Sequence, residues 1–135
     1  MLILKRRCLE SIKINSNITI TVGLVKQNSI LFSIEMPSYM VLILQKGCAS
    51  LMPEKTNTHS KLLSATTAQD FNFKLKSTLE NYPCSIDVTG CLENGNLVRF
   101  IFDAPDNVSI FRSEIYWEIM GNMVLRRRGG LKGQS

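Results

Sequence analysis

The sequence is short of most groups that carry enzymatic chemistry. It has one histidine and one tryptophan in 135 residues. His59 has no partner at ligand spacing, so it is assigned no chemistry. Cys8, Cys48, Cys84 and Cys91 stand apart with no CxxC pair, and they read as reduced thiols rather than as zinc ligands or a redox couple. No glycine-rich phosphate loop and no carboxylate pair at recognisable spacing is present. The expectation is a protein that is not an enzyme and that holds no cofactor and no metal. No apolar run approaches the roughly 18 residues a spanning helix needs. Met1–Cys8 is basic, but no long apolar stretch or small-residue cleavage site follows, so it does not read as a signal peptide. A cytoplasmic chain without a membrane partner is expected.

Apolar residues make up 44% of the chain and the mean hydropathy is +0.05, enough for a real core. The length suits one domain or two very small units. The net charge is +5 and the isoelectric point about 9.2, which permits an anionic partner without requiring one. The charge is unevenly placed. Residues 1–47 carry +4, residues 48–70 balance, residues 71–120 carry −3 and residues 121–135 carry +4.

Strand signals dominate. Leu2–Leu4 is an apolar opening run, and Ile18–Val22 alternates strictly with β-branched residues. Ile30–Ile34 alternates less cleanly. Met40–Leu44 is continuously apolar, as a strand buried on both faces would be. Asn15-Ser16-Asn17, Gln27-Asn28 and Pro37-Ser38 separate these runs as turns. Residues 48–70, with Pro53, His59 and several Ser and Thr, read as a linker with one helical turn at Ser60–Ala65. Strands return at Ile86–Thr89, Val98–Phe102 and Val108–Phe111, with a hairpin turn at Glu93-Asn94-Gly95-Asn96. Ser113 is a fair N-cap for a helix carrying Glu114 in its first turn, with Ile115, Tyr116, Ile119 and Met120 at helical spacing and Gly121 at its end. A mobile basic tail follows.

The chain repeats itself. A shift of 68 residues brings Ile18 onto Ile86, Thr21 onto Thr89, Leu24 onto Leu92, Asn28 onto Asn96, Phe32 onto Phe100 and Pro37 onto Pro105. Ile20 then meets Val88, Ile30 meets Val98 and Leu42 meets Ile110. Upstream, a shift of 70 pairs Glu10 with Glu80 and Ile3 with Phe73. The reading is two degenerate copies of one β unit: 1–47, a linker at 48–70, then 71–120 with a C-terminal helix, and a tail at 121–135. A unit of about 45 residues is too small to hold a core alone, whereas two packed together suffice.

Met1–Arg7, Glu10-Ser11-Ile12, Ile18–Val22 and Val25-Lys26 resemble the opening of the CsrA/RsmA family of post-transcriptional carbon storage regulators. Asn96–Arg99, Ala104-Pro105, Val108–Arg112 and Glu114–Tyr116 resemble the remainder of that family's sequence. The resemblance implies a mainly β fold in which two interlaced antiparallel units share one chain as a pseudo-dimeric sheet or barrel, with a C-terminal helix. It implies binding to GGA-containing hairpin loops in messenger leaders, blocking of ribosome entry, and titration by small regulatory RNAs. The family's RNA site lies across the seam between the first strand of one protomer and the last strand of the other. Carried over, Leu4, Arg6 and Arg7 hold the first-strand positions, and Ile110 and Arg112 the last-strand ones. Lys5, Arg99, Arg126, Arg127 and Arg128 are candidate additional RNA contacts.

The other seam departs from the pattern. Its first strand is expected at Phe71–Ser77, with Lys74, Lys76 and Ser77 in place of Leu and two Arg, and Leu44 stands where Arg is expected. Lysine cannot reproduce a bidentate guanidinium contact. One working site per chain and one dead site are expected, in a monomeric pseudo-dimer. Taken without the resemblance, Arg6-Arg7 is equally an edge charge that discourages strand addition. Because the two side chains point to opposite faces of a strand, one is expected to meet phosphate while the other braces the seam. Arg126–Arg128 serve either as solubility charge or as non-specific phosphate contacts. Tyr116 and Trp117 read as packing residues rather than a base-stacking platform. The rival function is a protein-interaction module that pairs with an authentic family member or a flagellar assembly partner. An intact Leu-x-Arg-Arg strand together with Arg112 favours RNA, since an interaction relic has no need of them.

Overall fold

The computed structural model describes residues 1–26, 28–51, 60–82, 84–95 and 97–127. Among the described residues eleven strands precede one helix: β1 (Leu2–Arg6), β2 (Ser11–Ile14), β3 (Ile18–Val25), β4 (Ser29–Glu35), β5 (Met40–Lys46), β6 (Cys48–Ser50), β7 (Ser60–Thr66), β8 (Phe71–Ser77), β9 (Ser85–Asn94), β10 (Leu97–Asp103), β11 (Ile110–Arg112) and α1 (Ser113–Arg127). They form two antiparallel sheets, β1-β10-β9-β8-β5 and β11-β2-β3-β4-β7-β6. Both sheets are open, so the described strands close no barrel.

Alternation makes the core. Ile12 and Ile14, Ile18, Ile20 and Val22, and Ile30, Phe32 and Ile34 turn to one side of the second sheet and are buried. Phe71, Phe73 and Leu75, Ile86 and Val88, and Val98, Phe100 and Phe102 do the same from the first. Phe32 stacks on Phe71 and Phe73 with ring centroids 5.5 and 5.7 Å away and meets Phe100 edge-on at 6.5 Å, so the two sheets close on an aromatic centre. Gly90 faces both Phe71 and Phe100 across the ladders. A methyl group there would overlap the Phe71 ring. The hairpin between β9 and β10 turns at Gly95 with φ +54°, and that between β2 and β3 at Asn15 with φ +53°.

The two sheets are built alike. Phe32 lies opposite Leu63 on β7, as Phe100 lies opposite Leu4 on β1. Leu42 lies opposite Leu75, as Ile110 lies opposite Ile14. Each half therefore lends its outer strands to the other half's sheet.

Several expectations are corrected. Residues 48–70 contain strands β6 and β7, and the helical turn expected at Ser60–Ala65 is strand β7 instead. The edge of β4 supplies a ladder there, and Leu63 and Ala65 fill the core behind it. The first strand of the second half is accordingly β7 and not Phe71–Ser77, which pairs with β9 and β5 in the place that β2 takes in the first half. Met40–Leu44 is not buried on both faces, since Val41 and Ile43 are 42% and 38% exposed. The helix runs past Gly121 to Arg127, because Gly121 does not adopt the left-handed conformation that ends a helix. Ser113 Oγ is buried without a hydrogen-bond partner, so the expected cap is not made. His59 and Arg128 lie outside the described residues.

Candidate functional site

The distinctive polar contact of the molecule lies where β1 passes the start of α1. Arg6 ends β1 and is only 4% exposed. Its Nη1 and Nη2 donate to Glu114 Oε1 and Oε2 at 2.9 and 3.0 Å, the two-pronged pairing that a planar guanidinium makes with a carboxylate. Nη1 also donates to the Ser11 carbonyl at 3.2 Å and Nε to the Lys5 carbonyl at 3.0 Å. One side chain thus ties the edge strand of the first sheet to β2 and to the helix that leaves the edge of the second.

This tie places the other residues. Ser11 precedes Ile12, the ladder partner of Arg112, and Glu114 follows Arg112 by two residues. Arg112 is exposed, and so is Arg7, just beyond Arg6. Between Arg7 and Glu10 the chain turns sharply, with Glu10 Oε1 accepting from the Arg7 amide at 2.7 Å. Leu9 takes the turn at φ +69°, a conformation costly for a branched side chain, while its amide donates to the Val22 carbonyl at 2.7 Å. Leu4 and Ile110 are half-buried, both resting on the core. At the same seam a hollow of about 300 Å³ is lined by Met1 and Leu2, by Ala104, Pro105 and Asp106 of the loop after β10, and by Val108 and Ile110. Ala104-Pro105 is legible in the sequence through the repeat and the resemblance but not as part of a site; it is where the chain reverses between β10 and β11.

Lys5 and Arg99 turn away from this seam. They face each other across the β1–β10 ladder and share Glu93, with Lys5 Nζ 2.7 Å and Arg99 Nε 3.9 Å from its oxygens. Arg126 and Arg127 belong to the last turn of α1. Lys13 Nζ sits 5.4 Å from the ring centres of both Tyr116 and Trp117, holding the first turns of α1 against β2.

The opposite seam keeps the leucine but has no counterpart of Arg6 or Arg112. By ladder position, Leu63 stands for Leu4, but Ala65 stands for Arg6 and Leu44 for Arg112. Where the second half enters its helix, the first half has Gly47 at φ +72°, and the chain bends into β6. β6 pairs with β7, so β7 has a neighbour on both sides, whereas among the described strands β1 keeps one free edge.

Residues 1–44 match the model of the CsrA global regulator protein family. Over that span the chain is similar to the CsrA family. At the family level this is a group of non-enzymatic, RNA-binding post-transcriptional regulators. No curated relative and no solved structure matches the chain. The CsrA segment runs from β1 into β5, so it contains Leu4, Arg6 and Arg7 but not Ile110 and Arg112, which the fold brings to it from outside the matched span. No helix among the described residues is long and apolar enough to cross a membrane.

The tie carries a pH dependence. The Arg6 fork holds the Glu114 carboxyl down from its ordinary 4.5 to about 2, with hydrogen bonding the largest cause. A depressed carboxylate stabilises the fold fully above its unfolded value and loses that contribution as pH falls through its folded one. Between about pH 4.5 and pH 2 the wild type is therefore expected to lose more stability than Glu114→Gln, as read by urea midpoints at each pH. Equal slopes would show that the pair contributes nothing. Glu114 is 59% exposed, so added salt reduces the difference.

Proposed function

We infer that the chain is a sequence-selective RNA-binding translational regulator. It reads a GGA-containing hairpin loop at one site per chain, formed by Leu4, Arg7, Ile110 and Arg112 and braced by Arg6. The two halves, 1–47 and 71–120 with β7, stand in this reading for the two protomers of a family dimer fused into one pseudo-dimer.

The observation that carries it is the Arg6–Glu114–Ser11 tie, which sets a free strand edge beside two exposed arginines. A single-stranded loop splays its bases and offers their hydrogen-bonding edges. A free edge supplies main-chain donors and acceptors to those bases, and the hollow beside Ala104 and Pro105 receives a purine. Arg112 has the fork geometry for a guanine edge or a phosphate. Arg7, on the opposite face from the buried Arg6, is left for phosphate. The second seam lacks both guanidinium groups, and β6 occupies the edge an RNA would need. Both differences support one site rather than two.

The test is a titration of the purified chain with a GGA-loop hairpin and with a hairpin whose loop is changed, with mass measured in the same run. Submicromolar, GGA-dependent binding at one RNA per chain is the expected result. Two RNAs per chain would overturn the one-site reading. Binding that ignores the loop sequence would overturn the sequence-selective reading, and no binding at all would overturn the RNA reading in favour of a protein partner.

A further inference from the structure

The loss of a helix after β5 leaves a mark on the outer face of the first sheet. In the second sheet, the outer face of β11 and β2 carries Phe111 opposite Lys13, and α1 leans on it through Tyr116 and Trp117. The corresponding positions of the first sheet carry Ile43 opposite Lys74 on β5 and β8. Lys74 stands 3.7 Å from Asp87 on β9, much as Lys13 donates to Thr19 on β3 at 2.9 Å. The helix seat is therefore repeated, but no helix among the described residues sits on it. Val41 and Ile43 lie exposed, with Lys76 opposite Val41 on the same face.

The same chain has an uncovered helix face. Tyr116 and Trp117 turn toward Lys13, so Ile115, Glu118 and Ile119, three and four residues apart, form the opposite stripe. Ile115 and Ile119 are each 41% exposed. An apolar pair beside an acid is complementary in charge and character to an apolar pair beside the exposed Lys76.

We propose that the bare face of β5 and β8 binds α1 of a second copy of this chain, and that the contact is returned, giving a two-fold dimer. Ile115 and Ile119 lie on Val41 and Ile43, and Glu118 reaches Lys76. A returned contact closes the assembly, where a one-way contact would run on into a filament. The dimer keeps the Arg6–Arg112 seam of each chain open. On the one-site reading above, it carries two RNA sites per particle and regains the effective-concentration advantage that a single-site chain lacks.

The experiment is sedimentation equilibrium of the RNA-free chain up to about 100 µM, a range in which weak interfaces associate measurably. The wild type, Ile43→Lys, Glu118→Lys and the double variant Glu118→Lys with Lys76→Glu are compared. All three positions are exposed, and far-ultraviolet circular dichroism checks that each variant is folded. The wild type is expected to reach dimer mass. Ile43→Lys is expected to be monomeric. Glu118→Lys is expected to weaken the dimer about tenfold, since it turns two identical attractions into repulsions. The double variant is expected to recover most of that loss. A monomeric wild type, a dimer that none of the variants weakens, or a ladder of larger species would overturn the proposal. Because no RNA is present, none of these results depends on the RNA reading.

Discussion

Arg112→Ala is expected to weaken binding to a GGA hairpin about 100-fold while leaving the fold unchanged. A two-pronged guanidinium contact to a base edge contributes about 1–3 kcal/mol of discrimination, and each 1.4 kcal/mol is a factor of ten. The upper end applies because the second seam has Leu44 at the matching position and cannot substitute. Arg112 is exposed and donates no side-chain bond to the described residues, so its removal leaves no buried group among them unpaired. Arg112→Lys keeps the charge but not the fork. It is expected to retain the salt-sensitive, sequence-independent part of the affinity and to lose preference for GGA over a changed loop. A Kd within threefold of the wild type for Arg112→Ala would remove this residue from the site.

Arg6→Met is expected to cost about 1.5–3 kcal/mol of stability and to abolish loop-selective binding together with it. Methionine fills the same volume without the charge. The variant loses the fork to Glu114 and the bond to the Ser11 carbonyl. Removing one member of a buried ion pair costs about 3–5 kcal/mol when the other is stranded without water. Here Glu114 is 59% exposed and rehydrates, so the cost comes from the lost charged hydrogen bonds of Arg6, about 1.5–3 kcal/mol. The measurement is the urea midpoint at neutral pH, with the RNA titration run alongside. A drop below about 0.5 kcal/mol would mean that the seam is held by packing alone and that the tie is incidental. Glu114→Gln separates the two effects. It removes the charge but keeps an acceptor for one prong, so binding is expected to survive better than in Arg6→Met.

The alternating runs were legible because a half-buried strand imposes its period on the sequence. Ile18 to Val22 and Val98 to Phe102 appear where the periodicity places them, and the 68-residue shift carries the β3–β4 pairs from Thr19–Glu35 to Val22–Phe32 onto those of β9 and β10, failing only at the bulges, where Val25 meets Ile30 but Leu92 meets Val98. β7 was not legible. Lys61-Leu62-Leu63-Ser64-Ala65 has the composition of a helical turn, and only the open edge of β4 makes it a strand. The misassigned β8 follows from the same cause. Phe71–Ser77 is a strand by pattern, but pattern does not say which neighbour it will find. Arg6 and Arg7 are adjacent and alike in the sequence, which does not say which of them is covered, whereas in the fold Arg6 is buried and Arg7 exposed.

What the residue order determined by itself was a mainly β chain with two related halves, basic ends, no recognisable catalytic constellation, and a Leu-x-Arg-Arg strand with an arginine before the last helix. These are properties of composition, period and spacing. What the tertiary structure decided was the pairing of β1 with β10 and of β11 with β2, the burial of Arg6 against Glu114, and the covering of β7 by β6. Each depends on groups far apart in the chain, as Arg6 and Glu114 are. Their meeting is set by which sheet edges remain unpaired once the core has closed, and no local pattern encodes that.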